Sequence, residues 1–229
     1  MDNSSDDNNH GSGGDNSDGS GGICDGDGTS DYYYYYYDDA NDDIDGEDYG
    51  GSCGNGEQKS FFHGMDTKEQ EIFTLINNHR RQYGLPSLLP SDNLAYVAHT
   101  HAIDIIDNNP DVNGGNMHSW SNKGKWRPVK YTPDHQQAHL MWSKPSEISN
   151  YKFNGFEISF GYAQNVRKTM TINPTEAVNS WKNSPGHNGV MVQQGTFQNT
   201  PMKAMGVGVY KGYACVWFGQ QVDTYPAPS

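Results

Sequence analysis

The sequence predicts an α+β domain in which helices cover both faces of a central sheet, carried behind a disordered acidic tail. Three observations predict it. Periodic stretches run in the order helix, helix, helix, strand, helix, strand, hairpin, which suits a sheet with helical layers. The hairpin signal is specific, because Ala204–Val209 and Tyr213–Phe218 flank Tyr210-Lys211-Gly212, with glycine expected to take the positive φ. Composition changes near residue 60. The first 60 residues hold 16 of the 28 acidic residues and one Lys, a net charge of −15, which leaves +2 for the remainder.

Residues 1–60 are poor in aliphatic side chains and rich in Gly, Asp, Asn and Ser, so they bury too little surface to offset chain entropy. They are expected to be a disordered tail, with residues 61–229 forming the domain. Asp25-Gly26-Asp27-Gly28 with Asp31, and the cluster Asp38 to Asp48, resemble fragments of calcium loops without the full ligand ladder. The run Tyr32–Tyr37 fits a sticky contact segment or compositional drift.

Within the domain, Asp66-Thr67-Lys68-Glu69 has the form of a capping box before an inner face of Ile72, Leu75, Ile76, His79 and Tyr83; Gly84 ends that helix. A second helix starts near Ser91, with the stripe Leu94, Val97, Ala98, His101, Ala102 and Ile105. His101 on this stripe is read as a satisfied core histidine, and His99, off it, as a surface one. Asn113-Gly114-Gly115-Asn116 is a turn delivering Met117-His118-Ser119. Thr132 and Pro133 are expected to open a third helix carrying His135 and His139 at i, i+4. In that H-x-x-x-H, Gln136 stands where a zinc peptidase has its base, so the pair is read as incidental.

Residues 154–166 alternate as a strand, with Phe156, Ile158 and Phe160 on one side and Glu157 and Ser159 on the other. Ala177, Val178 and Trp181 form the apolar face of a short central helix. Ser184-Pro185-Gly186 is expected to stop it and leave His187 on a turn. On the residues alone His187 is an ordinary loop histidine; a turn fixed at both sides also makes it a candidate ligand or proton carrier. Val190–Val192 is expected to start another short strand.

W-K-N-S-P-G-H-N at Trp181–Asn188 resembles the W-x-N-S-P-G-H signature of the CAP superfamily, which includes cysteine-rich secretory, antigen 5 and pathogenesis-related 1 proteins. I-N-N-H-R-R-Q-Y-G-L-P-S-L (Ile76–Leu88), M-H-S (Met117–Ser119), A-M-G-V-G-V (Ala204–Val209) and V-W-F-G-Q (Val216–Gln220) resemble further family segments in order. The resemblance implies a three-layer α-β-α sandwich (CAP/SCP-like) and an extracellular, monomeric protein. It also implies a cleft of two histidines and two acids able to hold zinc or another divalent cation. His118 and His187 match the two histidines. For the first acid, Tyr162-Ala163-Gln164-Asn165 has the better spacing but offers an amide, whereas Gly155-Phe156-Glu157-Ile158 keeps a carboxylate. Glu157 is preferred, because a carboxylate orients an imidazole or acts as a base; a solvated strand-face acid is its plain alternative. The second acid is matched by Asn183.

Three functions follow from the resemblance: a non-enzymatic binding domain that meets a partner protein, a lipid or sterol carrier, and a hydrolase using metal-bound water with His118, His187 and Glu157. No G-x-S-x-G nucleophile motif is present within residues 61–229; the one such string, Gly50-Gly51-Ser52-Cys53-Gly54, falls in the tail and not between a predicted strand and helix. Nucleic acid is not expected as a partner, since no basic helix appears, and no apolar run is long enough to span a bilayer. Met1-Asp2-Asn3 lacks the charged start and apolar stretch of a secretory signal, which leaves two expectations: a signal has been removed, or the protein is not exported. Cys24 and Cys53 lie in the tail, where an oxidising compartment would allow a bridge that the sequence does not decide, while Cys215, in a strand, is expected as a buried thiol. The chain departs here from disulfide-rich relatives, and its core must hold by packing. Deleting residues 1–60 is therefore expected to shift the thermal midpoint by less than about 2 °C, measured by calorimetry.

Overall fold

The structure is a computed structural model and describes residues 65–228. The expectations of a disordered tail, calcium-like fragments, a tyrosine contact segment and a Cys24–Cys53 bridge lie outside the described residues. Helix α1 (Thr67–Gln82) leads to a two-residue strand β1 (Leu89–Pro90) and the long helix α2 (Asp92–Asn108). After an extended loop come α3 (Ala138–Trp142), α4 (Lys144–Ile148) and strand β2 (Gly155–Gly161). Helices α5 (Pro174–Asn183) and α6 (Pro185–Met191) precede a 3-10 turn (Gly195–Phe197) and the hairpin β3 (Ala204–Tyr210) and β4 (Tyr213–Gly219). The strands lie in the order β1-β3-β4-β2, antiparallel except for β1 against β3. Among the described residues no helix is long and apolar enough to cross a membrane.

Strand alternation builds two cores. Ile158, Met205, Val207, Ala214, Val216 and Phe218 face α1, α5 and α6, where Ile72, Ile76, Val178 and Trp181 fill the space. Ala204, Tyr213, Cys215 and Trp217 face α2 and the α3 region, against Leu94, Val97, Ala98, Trp120 and Met141. The result is the expected three-layer sandwich. The α2 layer is unusually close. A Cβ on Gly206 would stand 2.1 Å from the Ala95 nitrogen, and one on Gly208 2.3 Å from the Ala98 carbonyl carbon. These two glycines let the α2 backbone rest on β3.

Local signals hold where they are strongest. Asp66 and Glu69 form the capping box in both directions, Ser91 caps α2, and all six residues of the α2 stripe are buried. Tyr83 departs from the inner face of α1, being the exposed C-cap residue. His99 is not a free surface group either. It is half buried against the buried carboxylate of Glu69, which also accepts the Val209 N–H at 2.7 Å. Glu69 stands three, four and seven residues before the buried Ile72, Phe73 and Ile76, so helical periodicity carries it onto the buried face of α1.

Four further expectations are corrected. The third helix begins at Ala138, because His135 takes φ +56° and breaks the turn; His135 and His139 therefore share no helical face. Pro185 does not end the helical region but restarts it as the first residue of α6, so His187 sits in a helical turn and Val190-Met191 belong to that helix, not a strand. Strand β2 stops at Gly161, and residues 163–168 fold into turns bonded back on themselves. In the hairpin, Lys211 takes the positive φ (+52°), not Gly212. Gly212 serves close approach instead, since a Cβ there would meet the Arg167 carbonyl oxygen at 2.6 Å.

Trp181 ties the central helix to the sheet: it is fully buried and its indole N–H donates to the Ser159 carbonyl at 2.9 Å. Trp181→Ala is expected to cost about 3–5 kcal/mol in chemical denaturation. A loss below about 1 kcal/mol would contradict its place in the core.

Candidate functional site

The centre of the site is a carboxylate placed where the strand pattern puts a core residue. Glu157 pairs with Trp217 across β2 and β4 and faces α2, so its side chain is fully buried. It survives there because two imidazoles donate to it. His101 Nδ1–H bonds one carboxylate oxygen, and His118 Nδ1–H bonds the other at 2.7 Å. The plain alternative for Glu157, a solvated strand-face acid, does not describe this structure. Burial pushes its pKa up, but the His101 charge and the hydrogen bonds from both histidines outweigh it and hold the pKa at about 2.

His101 is the inner partner. Its Nε2–H donates to the Ser119 carbonyl at 3.0 Å, so both ring nitrogens face acceptors and the ring is needed as the imidazolium. Burial lowers its pKa, but the Glu157 charge and the two hydrogen bonds carry it above the ordinary value. The ring also stacks on Trp120, with centroids 4.2 Å apart and planes 7° from parallel.

His118 is the outer partner, and its loop is held at every residue. Tyr213 Oη donates to the Met117 carbonyl at 2.8 Å, the His118 N–H donates to Asn116 Oδ1 at 3.0 Å, and Ser119 Oγ accepts the Tyr131 N–H at 3.0 Å. Because Nδ1–H is committed to Glu157, Nε2 is the nitrogen that carries the lone pair in the neutral ring. His187 faces it, with ring centroids 6.4 Å apart and planes inclined by 58°. Burial first, and then the nearby His118, lower the pKa of His187 and favour its neutral form. His187 has no hydrogen-bond partner among the described residues.

Other residues lie outside this group. Gln164 is exposed, in the turns before the buried Arg167, whose guanidinium pairs with the Asp111 carboxylate. Asn183 is exposed and lines a groove of mixed polar and apolar character with Lys182, Gln194 and Phe197. Neither belongs to the Glu157 cluster. His135 accepts from Tyr131 Oη at 2.9 Å, and the Tyr131 ring packs edge-on against His118, so His135 stands one ring removed. Cys215 is the expected buried thiol. Its Sγ lies within 4.8 Å of donor atoms of His101 and Glu157, but its S–H donates to the Ala98 carbonyl and burial raises its pKa well above the ordinary value. A thiol held protonated is a poor metal ligand.

Sequence reasoning placed His101 in the core but not in the site. The signal was present, since a histidine on a fully apolar stripe needs two buried partners. What periodicity does not show is that Glu157 is one of them.

Residues 73–220 match the sequence model of the CAP family, described as the cysteine-rich secretory protein family, and the chain belongs to that family. One similar solved structure is an extracellular protein containing a SCP domain from Bacillus anthracis str. Ames. It is 21% identical, covers 67% of this chain and 40% of its own, and has a TM-score of 0.44. Another is a cysteine-rich secretory protein from Staphylococcus aureus subsp. aureus Mu50, 18% identical over 67% of this chain and 38% of its own, with a TM-score of 0.40. The chain thus spans at most 40% of the length of these two proteins. A comparison with curated proteins gives no match.

A lowered folded pKa contributes stability that is complete above the unfolded value and is lost as pH falls through the folded one. For Glu157 that window runs from about 4.5 down to about 2. Glu157→Gln is therefore expected to be less stable than wild type at pH 6, with the gap in urea midpoint closing between pH 4.5 and 2. A gap that stays constant across this range would contradict the buried ionised carboxylate.

Proposed function

We propose that this chain is an exported CAP-domain binding protein whose cleft holds a divalent cation between His118 and His187, and which binds a partner rather than cleaving one. The observation that carries the reading is the pair of facing imidazoles, one oriented by a buried carboxylate and the other favoured neutral by burial. Two imidazole nitrogens suit zinc, and a two-ligand site leaves positions open for groups from a partner. The bound ion would supply Lewis acidity and a fixed positive charge for an oxygen-bearing ligand. Export is proposed from family membership.

The chemistry of Glu157 favours binding over hydrolysis. Both carboxylate oxygens already accept imidazole N–H bonds, and a carboxylate whose conjugate acid has a pKa of about 2 is a weak base for water. Glu157 serves the cleft by fixing the His118 tautomer, the role an outer carboxylate has behind a metal-bound histidine. The lipid or sterol reading has no observation in its favour among the described residues. The groove beside α6 mixes Lys182, Asn183, Asn188 and Gln194 with Pro185 and Phe197 and has no aliphatic Leu, Ile or Val in its lining.

Zinc titration of chelator-stripped protein is expected to show one bound ion per chain. His118→Ala and His187→Ala should each abolish it, Glu157→Gln should weaken it by about 10–100-fold, and His139→Ala should leave it unchanged. Equal zinc affinity in wild type, His118→Ala and His187→Ala would overturn the reading.

A further inference from the structure

The helix that presents His187 cannot fix its own direction. Helix α6 has seven residues, two of them glycine, and no side-chain cap on its first turn. Helices this short do not persist in water without tertiary support. Its only buried side chains, Val190 and Met191, lie at its C-terminal end, away from His187. Apolar packing anchors one end of α6 and leaves the turn carrying His187 to be held by something else.

The structure supplies that hold from the last turn of α1, through two consecutive residues. His79 Nε2–H donates to Asn188 Oδ1 at 2.8 Å, one residue from His187. Arg80 Nη1 donates to the Met191 carbonyl at 2.7 Å, and its Nη2 to Gln193 Oε1 at 2.8 Å. A cation on the terminal carbonyls of a helix also complements its dipole. The Arg80 Nε donates to the Pro86 carbonyl at 3.1 Å, which ties the guanidinium to the loop after its own helix. Gln193, the far end of the contact, sits at φ +52°, a conformation that needs outside support in a residue other than glycine. His79 is buried and its Nδ1 has no partner among the described residues, so the one hydrogen bond its ring makes among them is the bond to α6.

We propose that His79 and Arg80 are positioning residues for His187: they grip α6 at its middle and at its C-terminal end and set the angle at which His187 meets His118. The proposal rests on the two-histidine reading above. His79 acts through Asn188 and Arg80 through Met191 and Gln193.

The test uses zinc alone as probe, on the full chain, with affinity read by chelator competition and the His187 ring followed by nitrogen-detected NMR. His79→Phe keeps an aromatic ring and removes the donor; His79→Gln restores an N–H. In folded protein His79→Phe is expected to weaken zinc about tenfold and to shift the His187 ring signals, with His79→Gln recovering most of the loss. Asn188→Leu should give the same loss alone and no further loss when combined with His79→Phe. It carries the test if His79→Phe fails to fold. Zinc affinity within twofold of wild type in the folded His79 or Asn188 variant overturns the positioning role. His118→Ala and His187→Ala run alongside: no effect in these sinks the two-histidine reading and this proposal together, whereas loss in these with none in the α1 and α6 variants sinks this proposal alone.

Discussion

A carboxylate buried beneath a helix is the constraint to which the rest of this domain answers. Charge without water is costly unless donors replace the lost hydration, and Glu157 obtains two from opposite directions. His101 must therefore sit at one register on α2, because a change of one residue would turn its ring away from the sheet. The Met117–Ser119 loop must pass close enough for His118 to reach the second oxygen and for the Ser119 carbonyl to take the other N–H of His101. Two segments separated by a turn-rich loop are thus tied to one side chain on β2. The buried pair specifies position more than it adds stability.

That arrangement depends in turn on glycine. With any side chain at Gly206 or Gly208, α2 would have to lift from β3 by more than an ångström. His101 would lift with it, and the short contact to Glu157 would open. A stretch that reads in sequence as an apolar strand with two permissive residues is in space the surface that sets the height of a helix over the sheet, and so the length of a charged hydrogen bond.

Elements defined by local chemistry were legible in the sequence. The capping box of α1, the stripe of α2, the anchoring of Trp181 and the hairpin strands all follow from spacing within a few residues, and the structure has them. Errors arose where one local rule had two outcomes. Proline stops a preceding helix and starts a following one, and at Pro185 both happen. Thr132-Pro133 has the form of a helix start, yet His135 leaves helical geometry to bond Tyr131. Within the candidate site, His118 and His187 were singled out through motifs, and the structure places their ring centroids 6.4 Å apart. The burial of Glu157 was half legible, since alternation put it opposite Phe156 and Ile158 but does not say which face is the drier one. The partnership of Glu157 with His101 spans 56 positions and no periodicity reports it.

The sheet order explains why the two imidazoles meet where they do. β2 lies at the edge, next to β4 alone. Over β3 and β4 the two helical layers are kept apart by the sheet, so a residue from one cannot meet a residue from the other. At the β2 edge they can. His118 comes from the α2 side, where Met117 packs in that core, while His187 comes from α6, which belongs to the core of α1 and α5. The two imidazoles meet around the edge of the sheet, each held by its own layer: one by a carboxylate and its histidine, the other by the end of α1. The spacing of the two rings therefore depends on both layers at once, since each ring is held by a different one.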